Sequence, residues 1–140
     1  MMIANNRLLF PKKEARLYMA FMYVTFISLF IGGLMGLLQT LVRSGKYTLP
    51  FNIDYYTILT VHGVILGLIL TTYFIIGFQF SLMGKTVGIS DKQLKVAWLS
   101  FWVMIVGTIM TSVTILVGEA SVLYTFYAPL RAHPAFYIGL

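Results

Sequence analysis

The chain has 140 residues, 59% of them hydrophobic and only 10% charged, with a formal net charge of +6. Soluble domains carry about 25% charged residues, so the composition excludes a water-soluble globular domain and points to the bilayer. Cysteine is absent, which excludes a disulfide framework, a thiolate metal site and a CxxCH covalent attachment.

The chain opens with MMIANNRLLFPKKEARLY, which carries Arg7, Lys12, Lys13 and Arg16. The apolar stretch behind these charges is too long for the core of a signal peptide, and no small-residue cleavage site follows. The first predicted span covers 17–42 and the second 56–83. The third covers 96–118, and none of the three holds an Asp, Glu, Lys or Arg. Each exceeds the ~20 residues that a helix needs to cross ~30 Å of hydrocarbon. Helices are the expected form, because backbone groups in lipid must be satisfied within the segment.

The connections RSGKYTLPFNID and GKTVGISDKQLK are short and polar, and Ser90 or Asp91 is placed to cap the third helix. The tail EASVLYTFYAPLRAHPAFYIGL is aromatic and broken by Pro129 and Pro134, and AFYIGL reads as the opening of a fourth helix. Lys85, Lys92 and Lys95 in the second loop join the basic N-terminal segment, against Arg43 and Lys46 in the first loop and Arg131 in the tail. That bias predicts a cytoplasmic N-terminus and second loop. It reads the positive charge as membrane topology and not as a nucleic-acid surface.

His62 is the residue that carries chemistry. It lies in YYTILTVHGVILGLILTTYFIIGF, a stretch otherwise free of ionisable groups apart from tyrosine. With the first loop outside, it sits about 9 Å below the outer start of its helix. A titratable side chain in a membrane span marks a function by default. Neutral imidazole holds iron or copper without bringing a charge. The functional readings are a metal or haem ligand, or a proton relay. The bland reading is a buried histidine donating to a neighbouring carbonyl.

Gly63 and Gly67 follow His62 and leave little bulk for a flat macrocycle or another helix to meet. Gly32-x-x-x-Gly36 in the first span has the same form with no histidine, so the glycines also read as ordinary helix packing. His133, between Arg131 and Pro134, reads as a solvated or backbone-bonded loop residue. Glu119 reads as an ordinary carboxylate at a helix end. One histidine in a span makes no copper site, which takes two or three nitrogen ligands.

The blocks LLQTLVRSG, NIDYYTILTVHGVILGLILTTYF and EASVLYTFYAPLRAHPAFYIG resemble, in order and spacing, the N-terminal part of subunit I of haem-copper terminal oxidases. The resemblance is greatest to the ba-type, or B-family, cytochrome c oxidases. YTFYAPLRAHPAFY is the most specific block. The wider superfamily reads TVYPPL there, and Ala128 replaces its first proline, which leaves the turn less rigid.

The resemblance implies an all-α integral membrane fold: three transmembrane helices plus the start of a fourth, within a subunit I bundle of twelve or more helices. It implies that His62 is an axial ligand of low-spin haem b. Arg43 falls near the edge of that haem, and Tyr124 and Tyr127 near its propionates. The second axial histidine, the copper ligands and the proximal ligand of the oxygen-binding haem are expected outside these 140 residues, in the remainder of subunit I.

The implied enzyme takes electrons from cytochrome c, reduces oxygen and pumps protons in the prokaryotic cell membrane, beside a copper-bearing subunit II. Quinol oxidase and nitric oxide reductase of the same superfamily remain alternatives. So does a non-enzymatic helical membrane protein in which His62 is merely packed.

Overall fold

The computed structural model describes residues 12–48 and 54–140. Arg7 and residues 49–53 of the first loop lie outside the described residues. Helix α1 runs Lys12–Arg43. The second span, Tyr55–Thr86, is built of α2 (Tyr55–Val64), a π-helical segment (Ile65–Leu70) and α3 (Thr71–Thr86). Helix α4 is Asp91–Leu116 and α5 is Pro134–Gly139. All three long helices reach past the lower bounds read from hydropathy, because polar end turns still satisfy the backbone ladder. The third stops at Leu116, two residues before Gly118.

The ends have local causes. Ser90 caps α4 through a capping box: its hydroxyl accepts from the Gln93 amide, and the Gln93 side chain accepts from the Ser90 amide at 2.9 Å. At the other end of α4, Gly118 has φ +81, and the Glu119 amide reaches back to the Thr114 carbonyl at 3.0 Å. That closure needs a left-handed residue, which glycine adopts without strain. Pro134 opens α5 at its first turn and so starts a helix where the sequence reading placed a break.

Helix α1 packs along the whole second span, and α5 packs on α4. The core gathers Phe21 of α1, Tyr73 of α3 and Phe101 of α4. Phe21 lies 5.7 Å from Tyr73 and 5.0 Å from Phe101 between ring centroids. Small residues permit this approach: a Cβ on Gly77 would stand 2.7 Å from Phe21 and Met22. Most other large apolar side chains face outward, among them Phe26, Phe30, Leu99, Trp102 and Val106. An apolar exterior over three helices of membrane-crossing length makes this a multi-pass membrane protein.

The tail folds back on itself. Ala120 and Ala132 form an antiparallel bridge, and the His133 amide donates to the Glu119 carbonyl at 2.8 Å. Leu123 and Phe126 adopt left-handed φ values of 62 and 54, and the Ala128–Pro129 peptide bond is cis. Ala120, Val122 and Phe136 are fully buried, so the aromatic tail is a packed element and not a linker.

Charged groups tie the start of α1 to the start of α4 and to Ile89, two residues before it. Glu14, in the first turn of α1, is buried and accepts the Ile89 amide at 3.1 Å. Lys13 pairs with Asp91 at 3.1 Å across exposed surface. Of these residues the sequence marks Lys13 as topological charge and Asp91 as a possible cap, and it assigns Glu14 no role.

Candidate functional site

His62 occupies the last turns of α2, three residues before the π-helical segment. Its side chain turns toward α1, where Nδ1 lies 2.8 Å from the Gly32 carbonyl oxygen. A carbonyl can only accept, so Nδ1 carries the proton and donates. Nε2 then keeps its lone pair. The structure shows the carbonyl bond of the bland reading, and that bond is compatible with the functional one. Metal-ligating histidines regularly donate their other ring N–H to a carbonyl, which fixes tautomer and ring plane and raises ligand basicity.

The cradle for the ring comes from α1. A Cβ on Gly36 would stand 2.6 Å from His62 Cε1 and 2.7 Å from Nδ1. Gly32, Gly36, Gln39 and Arg43 recur at four-, three- and four-residue steps, which puts them on one face of α1. Gln39 Oε1 is buried without a hydrogen-bond partner among the described residues. An orphaned acceptor on this face is a further polar group available to a ligand. The sequence reading missed Gln39; a lone amide inside a charge-free span is the signal that singles it out.

Gly63 and Gly67 serve a different neighbour from the one expected. A Cβ on Gly63 would meet the Tyr124 ring at 2.8 Å, and Gly67 faces the same ring at 3.9 Å. Their lack of bulk admits the tail, while that of Gly36 admits the imidazole and that of Gly32 admits Leu66 and Ile65. The cause is rotation about the helix axis: Gly63 is one residue from His62 in sequence and so about 100° away around the helix.

The expected residues Arg43 and Tyr127 are not joined to this group. Arg43 is exposed in the last turn of α1, where a cation complements the helix dipole. Tyr127 is exposed in the tail. No hydrogen bond, ion pair or ring contact links either residue to His62 among the described residues. His133 caps α5: its Nδ1 accepts the Ala135 amide at 3.2 Å. A cavity of about 250 Å³ lies farther along the second span, lined by Tyr73, Thr108 and Thr111, and contains no histidine.

The donor set fits a haem iron better than a bare metal ion. Among the described residues no three His, Cys, Asp or Glu side chains group to hold a metal. A haem iron asks the protein only for axial donors. One oriented imidazole, a ring-sized relief at Gly36 and an unpartnered amide oxygen suit that demand.

Comparison with known proteins agrees with this architecture. Residues 16–140 match the family model described as cytochrome c and quinol oxidase polypeptide I. The chain is 35% identical over 137 residues to cytochrome c oxidase subunit 1 of Thermus thermophilus, covering 93% of this chain and 24% of that protein. It also superposes with a TM-score of 0.79 on a chain of a heme-copper terminal oxidase dimer solved by cryo-EM. That match has 34% identity and covers 94% of this chain and 22% of the other. The chain thus spans about a quarter of the length of the relatives it matches. Fold, sequence and family model converge, and the chain belongs to the cytochrome c and quinol oxidase polypeptide I family.

Proposed function

We propose that this chain contributes one axial ligand, His62, and part of the pocket of the low-spin haem b in a ba-type cytochrome c oxidase. The observation that carries the reading is the His62 hydrogen bond: Nδ1 donates to Gly32 at 2.8 Å, which leaves Nε2 as a fixed, uncharged donor in the membrane. Haem iron with two imidazole ligands is six-coordinate and passes single electrons without binding oxygen. The Gly32 carbonyl holds the imidazole plane. Gly36 leaves room for that ring. Arg43 supplies positive charge for carboxylates at the macrocycle edge, and Tyr124 and Tyr127 border its outer side.

The second axial ligand, the oxygen-binding haem and the copper belong to the remainder of subunit I in this reading. Cytochrome c is taken as the electron donor because the Thermus relative is named as a cytochrome c oxidase subunit. Subunit II and the bilayer complete the list of partners. The N-terminus is cytoplasmic, which puts His62 in the outer half of the prokaryotic cell membrane.

Two experiments test this. In the complete enzyme, His62→Ala is expected to abolish the low-spin b-type absorbance band and electron entry to the oxygen-reducing centre. Persistence of the band at full intensity sinks the assignment. For orientation, cysteines at exposed Lys46 and Lys92 label from opposite faces of sealed membranes. Labelling of both from one face rules the topology out.

A further inference from the structure

Thr60 lies two residues before His62 and is fully buried. Its hydroxyl donates to the Tyr56 carbonyl at 2.7 Å, as a threonine in a membrane helix commonly does. The same oxygen also accepts the Leu123 amide at 2.9 Å, 63 residues away in sequence. Leu123 has φ 62, a left-handed conformation that costs a branched-chain residue energy and persists only when its surroundings hold it. The next residue, Tyr124, lies against Gly63, where a Cβ would meet the ring at 2.8 Å. One buried hydroxyl thus fixes a strained turn, and the turn seats an aromatic ring on the helix that carries His62.

We propose that Thr60 is a positioning residue for His62. Thr60 and Gly63 share the face of α2 turned to the tail, while His62 projects toward α1, about 100° from Gly63 and about 160° from Thr60. Tyr124 on the first face and Gly32 with Gly36 on the second grip the helix from two directions. Rotation of α2 about its axis would break one contact or the other. The Thr60–Leu123 hydrogen bond closes that grip, and through it sets the plane of the His62 imidazole. The inference rests on His62 being the axial ligand, as proposed above.

The test uses the complete enzyme with Thr60→Val, which keeps shape and removes the hydroxyl, and Thr60→Ser, which keeps the hydroxyl. Amide exchange at Leu123 is expected to rise by about tenfold in Thr60→Val. The low-spin ferric EPR signal, which reports ligand plane and strength, is expected to shift or split in the same variant. Thr60→Ser is expected to restore both to the parent values. An unchanged EPR signal in Thr60→Val, or an equal shift in Thr60→Ser, overturns the proposal. If Thr60→Val does not assemble, Tyr124→Leu decides: it too is expected to shift the EPR signal, and an unchanged signal overturns the proposal. His62→Ala run in parallel separates the two claims. If His62→Ala retains the signal, the ligand assignment itself has failed. If His62→Ala loses it while Thr60→Val leaves it unmoved, only the positioning role has failed.

Discussion

The two histidines of this chain make opposite use of the same ring. At the α1–α2 crossing, His62 donates from Nδ1 to a helix carbonyl, and Nε2 keeps its lone pair. At the start of α5, His133 accepts at Nδ1 from the Ala135 amide, so its neutral form carries the proton on Nε2. His62 is left with a donor lone pair and a glycine-lined place to stand. His133 has used its lone pair to cap a helix in an exposed turn. The difference teaches that the direction of one hydrogen bond, rather than the presence of an imidazole, decides which ring nitrogen keeps its lone pair and whether that lone pair is already used.

The largest expected way to break the comparison is to fill the cradle. Gly36→Val places carbon 2.6–2.7 Å from the His62 ring, so the ring or α1 must shift. Overpacking of this kind costs about 1–3 kcal/mol, so low-spin haem content in the complete enzyme should fall sharply, with total haem measured alongside. Full content with an unmoved band would mean that Gly36 is not part of the site. Arg43→Leu ranks next. It removes one cation from the last turn of α1, and the low-spin haem's midpoint potential should fall as carboxylates lose their counter-charge, while Arg43→Lys should hold near the parent. An unchanged potential in Arg43→Leu leaves snorkelling to the headgroups as the role of Arg43. The smallest effect is expected for His133→Ala. Loss of an N-cap costs about 1 kcal/mol, visible as a lowered thermal midpoint, with the low-spin band and potential unmoved. A lost band in that variant would reverse the assignment of the two histidines.

Much of this was legible in the residues. Three long charge-free runs give three helices, since nothing else satisfies a backbone in lipid. The place of Ser90 and Asp91 before the third run marks a cap there, and the structure makes it Ser90. His62 stood out because the cost of an ionisable group in a span gives it meaning. The facing of each helix was not legible. When every side of a helix is apolar, periodicity no longer tells inside from outside. Gly63 and Gly67, which the sequence places beside His62, face Tyr124; of Gly32 and Gly36, whose spacing reads as packing, Gly36 leaves room for the imidazole and Gly32 supplies the carbonyl it donates to. The Thr60–Leu123 bond joins residues 63 apart, and no local pattern announces it. The π-helical turn at Ile65–Leu70 has the same obscurity: ILGLIL carries no proline or polar residue to mark it. No local pattern marks Glu14 as the residue that the fold buries against the Ile89 amide.

The central claim is that Nε2 of His62 supplies an axial donor. Its most direct test is chemical complementation in the complete enzyme. His62→Gly removes the imidazole and leaves a space of its shape beside Gly36. The low-spin b-type band should be absent from the purified variant and return, in proportion to occupancy, when free imidazole is added. A full low-spin band in His62→Gly before any imidazole is added would contradict the account.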